Sequence, residues 1–114
     1  MTKLGKQKFV GIALLTVWLS GAQAAEVEVG QQNKGFVSSN GQKIDKIKIK
    51  VGDTVTFKNL DPYMHNVFSA SDTGVFDLGS FPTGEARSRK FDKKGSAEIE
   101  CDVHPTMILK IEVE

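Results

Sequence analysis

The feature that most restricts this chain is a strict alternation of apolar and polar side chains in two separate stretches. Ile47, Ile49 and Val51 alternate with Lys46, Lys48 and Lys50, and Leu109, Ile111 and Val113 alternate with Lys110 and Glu112. A period of two puts every second side chain on one face of an extended strand, so each stretch has one face for a core and one for water. Shorter runs repeat the pattern: Glu26–Val29 stopping at Gly30, Thr54–Phe57 with Val55 and Phe57 inward, Val67–Ser69, Ala86–Phe91, and Ser96–Cys101 with Ala97, Ile99 and Cys101 on one face. No helix-length periodicity follows Ala25. Gly52-Asp53, Asn59-Leu60-Asp61-Pro62 and Asp92-Lys93-Lys94-Gly95 read as turns, Gln31–Gly41 as a loop, and Ala70–Gly84 as a long irregular excursion. About seven or eight short strands with such punctuation predict an all-β fold, a Greek-key β-sandwich. The outward lysines read as a solvated face that also discourages edge-to-edge association.

The chain has 114 residues. Its first 24 carry the three parts of a secretion signal: Lys3, Lys6 and Lys8, the apolar run Phe9–Leu19, and the small-residue triplet Ala22-Gln23-Ala24 before Ala25. The run is too short to span a bilayer and too uniformly apolar for a core helix. The expected organisation is a signal peptide over 1–24, cleaved after Ala24, and one domain over 25–114. Of the 15 basic residues three lie in the signal, so 12 remain against 14 acidic ones, and the mature charge is near −2. That balance leaves no electrostatic footprint for nucleic acid. No cysteine stands just after the apolar run to carry a lipid, so no membrane anchor is expected.

Export makes the single cysteine, Cys101, informative, because an oxidising compartment favours paired thiols and this one has no partner in the chain. A buried inert thiol, an intermolecular disulfide and a metal thiolate are the three choices. Its neighbours bear on them. Cys101-Asp102-Val103-His104-Pro105-Thr106-Met107 places a thiolate, an imidazole and a thioether in seven residues between two strands. The second histidine of the chain, His65, follows the turn Asn59–Pro62 and precedes the strand Val67–Ser69, so in a sandwich it reaches the same end. His65, Cys101, His104 and Met107 together offer two nitrogens, one thiolate and one weak sulfur. Thiolate and thioether suit Cu(I), imidazole suits both oxidation states, and a trigonal plane with a distant methionine lies between their preferred geometries. A closed zinc site uses more cysteines or histidines, and methionine is a poor zinc ligand.

Phe57-Lys58-Asn59-Leu60-Asp61, then His65-Asn66-Val67, then the Cys101–Met107 segment resemble the cupredoxins, and among them the plastocyanin-like and amicyanin-like proteins. The resemblance covers nearly the whole mature chain, and the short Cys-x-x-His-x-x-Met loop is similar to the amicyanin type. It implies one type 1 copper ion held by His65, Cys101, His104 and Met107, and location in the bacterial periplasm. It further implies that Asn66 ties the His65 segment to the Cys101 loop by hydrogen bonding. Two departures stand out. Met64 precedes His65 where amicyanin-like proteins usually have proline, and Thr106 stands where a bulky apolar residue can occur, so the redox partner does not carry over with the fold.

The expected function is a soluble, monomeric carrier of single electrons between transient protein partners that dock near His104. The alternative is a periplasmic copper-binding protein for storage, delivery or resistance, although the metal-rich tails that would favour it are missing. An enzyme is not expected, because no serine or cysteine nucleophile pairs with a histidine and a carboxylate, and a fully ligated copper has no open position.

Overall fold

The computed structural model describes residues 23–71 and 73–114, so the segment 1–22, which holds most of the expected signal, lies outside the described residues. Among the described residues, ten strands form two five-stranded sheets. The first contains β1 (Glu26–Gln32), β2 (Gly35–Val37), β3 (Lys43–Ile44), β5 (Thr54–Asn59) and β8 (Ala86–Lys90), in the order β3-β2-β1-β5-β8. The second contains β4 (Lys46–Ile49), β6 (His65–Ser71), β7 (Gly74–Phe81), β9 (Gly95–Glu100) and β10 (Ile108–Val113), in the order β4-β10-β9-β6-β7. β1 with β5 and β4 with β10 are parallel pairs; the rest are antiparallel. No helix among the described residues is long and apolar enough to cross a membrane.

The inward faces are the ones the alternation specifies. Val55 and Phe57 from the first sheet meet Ala97, Ile99, Leu109 and Ile111 from the second in one buried cluster. Fully burying such a side chain is worth about 1.5–3 kcal/mol, so this cluster accounts for most of the drive to close the sandwich.

The strand count exceeds the expected seven or eight for local reasons. Gln31–Gly41 is not a loop: β1 continues to Gln32, Asn33 and Lys34 make a two-residue turn, and β2 returns. Both turn residues have positive φ, 55° and 57°, as a type I′ hairpin requires. The stretch Ile44–Val51 is not one strand, because the chain changes sheets at Asp45 between β3 and β4. Val51, expected inward, lies past the end of β4 and is 45% exposed. Ala70–Gly84 contains β7, whose half-exposed alternation from Val75 to Leu78 is masked in the sequence by flanking glycines. His65 does not precede its strand but opens β6. Gly30 allows a close approach, since a Cβ there would lie 2.8 Å from the Leu60 and Val37 side chains.

Candidate metal centre

Three segments converge at the end of the sandwich where β5 finishes. The turn after β5 is organised by Asn59, which is fully buried. Its Oδ1 accepts from the Asp61 N–H at 2.8 Å, and its Nδ2 donates to the carbonyls of Tyr63 at 2.7 Å and Phe81 at 3.0 Å. The chain therefore re-enters the second sheet at His65. A register shift between Asn66 and Phe68 in the β6–β7 pairing bends the strand here, and His65, Asn66 and Val67 are all buried in consequence.

Cys101 follows β9 on the face shared with Ala97 and Ile99 and is buried. The chain then turns outward. The Met107 N–H donates to the His104 carbonyl at 2.9 Å, closing a four-residue turn with Pro105 in the position where its fixed φ is favoured. Asp102, Val103, Pro105 and Thr106 are exposed, His104 is half-buried, and Met107 returns fully into the core cluster that includes Cys101. Asn66 Oδ1 accepts from the Asp102 N–H at 2.9 Å, linking β6 to this loop.

The donor atoms of His65, Cys101 and His104 all lie within 4.8 Å of one another. His65 Nδ1 is 3.2 Å from His104 Nδ1 and 3.7 Å from Cys101 Sγ, and Cys101 Sγ is 4.0 Å from His104 Nδ1. The structure thus brings together three of the four residues singled out from the sequence around one point, and buries the fourth, Met107, at the end of the same loop. Two imidazole nitrogens and a thiolate, with no carboxylate between them, are the donors that suit copper.

Tyr63 lies beside both rings, its centroid 5.4 Å from that of His65 and 5.2 Å from that of His104, with Lys34 Nζ 5.8 Å above the tyrosine ring. Burial, and then the charge interactions with His65 and Lys34, lower the pKa of His104, with Asp61 opposing. Burial and then the Asp61 carboxylate raise that of Tyr63.

Sequence reasoning missed Asp61 at this site. Its Oδ2 lies 2.7 Å from His65 Nε2, and its two oxygens accept from the backbone N–H of Asn33 at 2.7 Å and of Lys34 at 3.1 Å. Burial would push this carboxyl up, but the hydrogen bonds from His65, Lys34 and Asn33 outweigh it and hold the group below its ordinary value. The available signal was an acidic residue four positions before a ligand-type histidine, across a proline, a spacing that allows the chain to fold back.

Residues 25–114 match the family described as copper binding proteins, plastocyanin/azurin family, and the chain belongs to it. The fold is similar to that of a reduced amicyanin variant, with 26% identity, a TM-score of 0.67, and coverage of 83% of this chain and 87% of the other. Amicyanin from Paracoccus versutus is similar at 26% identity and a TM-score of 0.66, over 82% and 86% of the two chains. A copper-containing nitrite reductase from Thermus scotoductus shares the fold at 23% identity and a TM-score of 0.68; the match covers 88% of this chain but 25% of the reductase. No curated protein matches by sequence. The chain is a cupredoxin with one type 1 copper site, and a type 1 copper electron-transfer protein in general character.

Proposed function

We propose that this cupredoxin is an exported, monomeric carrier that shuttles single electrons between transient protein partners, with His65, Cys101, His104 and Met107 as the copper ligands and no catalytic turnover of its own. The observation that carries the reading is the convergence of three lone-pair donors from β6 and the 101–107 loop within 4.8 Å. Copper, when bound, supplies a one-electron couple. The chain's part is to keep the donors in place whichever charge the site holds. Cys101 and His65 are packed on all sides, and Asn66 braces the loop against β6, so little can move when an electron arrives.

Electron entry and exit are assigned to the His104 edge. His104 is half-buried, its chain neighbours Val103, 59% exposed, and Pro105 lie at the surface, and Met64, next to His65, is 49% exposed. A small apolar rim of this kind suits brief redox encounters with fast release. Export rests on the signal-like residues 1–24. Further support comes from Ala25, the residue after the expected cleavage point, whose N–H donates to Asp53 at 2.8 Å and so belongs to the domain.

Copper storage or delivery is the rival use of the same donors, and reversibility separates the two. Copper-loaded protein should pass through repeated cycles of chemical reduction and reoxidation, losing and regaining its colour, with its copper content constant in the presence of a Cu(I) chelator. Progressive loss of copper to the chelator on reduction would instead identify a copper donor.

A further inference from the structure

We propose that Asp61 is a positioning residue that fixes the tautomer of His65 and, through its charge, biases the copper site toward its oxidised state. The inference rests on the ligand assignment above.

Both Asp61 oxygens already accept backbone N–H groups, from Asn33 and Lys34, so the 2.7 Å contact with His65 Nε2 is read with the proton on that nitrogen. The Nδ1 lone pair is then left free, and Nδ1 is the atom that faces Cys101 Sγ and His104 Nδ1. The carboxylate cannot swing away to allow the other tautomer. Asp61 is 3% exposed, its Oδ1 accepts the Asn33 N–H, and its Oδ2 accepts the Lys34 N–H as well as meeting the imidazole. Its own N–H is held by Asn59, and Thr83 Oγ1 donates to its carbonyl. The turn that supplies the two backbone donors is itself costly, because Asn33 and Lys34 both occupy the left-handed region, which lysine seldom adopts. Asp61 gives that turn its purpose, as two converging N–H groups meet one buried anion.

The electronic consequence follows from charge. A carboxylate on the outer nitrogen makes the imidazole a more basic donor, and its negative charge, one ring away from the metal position, favours Cu(II) over Cu(I). Removing the charge while keeping the shape should therefore raise the reduction potential.

The test compares wild type, Asp61→Asn, Asp61→Glu and, as a remote buried carboxylate control, Asp53→Asn. Asp61→Asn should lower the ratio of Cu(II) to Cu(I) binding constants at least about tenfold, equal to a rise of about 59 mV in the one-electron potential. Asp61→Glu should recover most of that change, and Asp53→Asn should leave the potential alone. Nitrogen-15 NMR of the metal-free wild type should show His65 protonated at Nε2, a readout that needs no variant to fold. A potential unchanged in folded Asp61→Asn, or a wild-type His65 protonated at Nδ1 alone, would overturn the role of Asp61. Absence of a thiolate-to-Cu(II) absorption band in the wild type would instead sink the ligand assignment, and the inference with it.

Discussion

Strand β5 has a buried aspartate just beyond each end, and the two are built alike. Asp53, ahead of the strand, accepts the backbone N–H of Ala25 at 2.8 Å and of Lys50 at 2.9 Å. Asp61, after it, accepts those of Asn33 and Lys34. Asp53 ties the chain's approach to β1 to the start of β5 and Asp61 ties the β1–β2 turn to its end, each across 27 or 28 positions of sequence, and each replaces lost water with backbone donors. The difference is one additional donor. Asp53 meets backbone only and is architecture; Asp61 also meets the His65 ring, so the same device reaches the metal centre. A fold can thus acquire electrostatic control of a site by placing one titratable ring beside an anion the backbone already holds.

The most severe way to break the comparison is His65→Ala. It removes one of the proposed copper ligands and strips Asp61 of its third partner. Copper affinity should fall by more than roughly 100-fold in a competition titration, and the metal-free protein should lose about 2–3 kcal/mol in urea unfolding, since a buried carboxylate is left short of a donor.

Asp53→Asn should come next, with an effect confined to stability. The Ala25 and Lys50 N–H groups hold the Asp53 carboxyl below its ordinary value of 3.8 against the opposing pull of burial. The folded state therefore binds fewer protons than the unfolded one, and the stabilisation is complete above pH 3.8 and is lost as pH falls through the lowered value. The urea midpoints of wild type and Asp53→Asn should differ at pH 6 and converge under strongly acidic conditions, while visible spectrum and potential stay the same. A shifted potential would mean that the two ends are not separable.

The smallest structural disturbance is Val103→Asp, on the exposed rim beside His104. Stability and spectrum should be unchanged within error, because Val103 is 59% exposed. Electron exchange with a protein partner should slow by about tenfold, measured by stopped-flow, as a charge within a small docking patch must be desolvated on contact. An unaltered rate would move the docking face elsewhere.

Much of this molecule is legible in its sequence, and for definable reasons. Ile47, Ile49, Leu109, Ile111 and Val113 announce their strands because one face is wet and the other dry. His65, Cys101, His104 and Met107 stand out because their side chains are chemically rare and closely spaced. What stays hidden depends on partners distant in the chain. The hairpin at Asn33-Lys34 carries no glycine to mark its positive φ angles, and β7 is interrupted by glycines that look like a loop. Asp61 reads as an ordinary turn residue before Pro62. Its burial is intelligible only once donors from β1–β2 and β6 are seen to meet on it, and nothing local to Asn59–Pro62 encodes that meeting.

The central claim is that Cys101 and two histidines hold one copper ion as a type 1 centre. The most direct measurement is the visible and electron paramagnetic resonance spectrum of the mature protein loaded with one equivalent of Cu(II), beside that of Cys101→Ser. The account predicts an intense thiolate charge-transfer band with a narrow copper hyperfine splitting in the wild type, both lost in the variant. A weak, ordinary tetragonal Cu(II) spectrum that is the same in both proteins would contradict it.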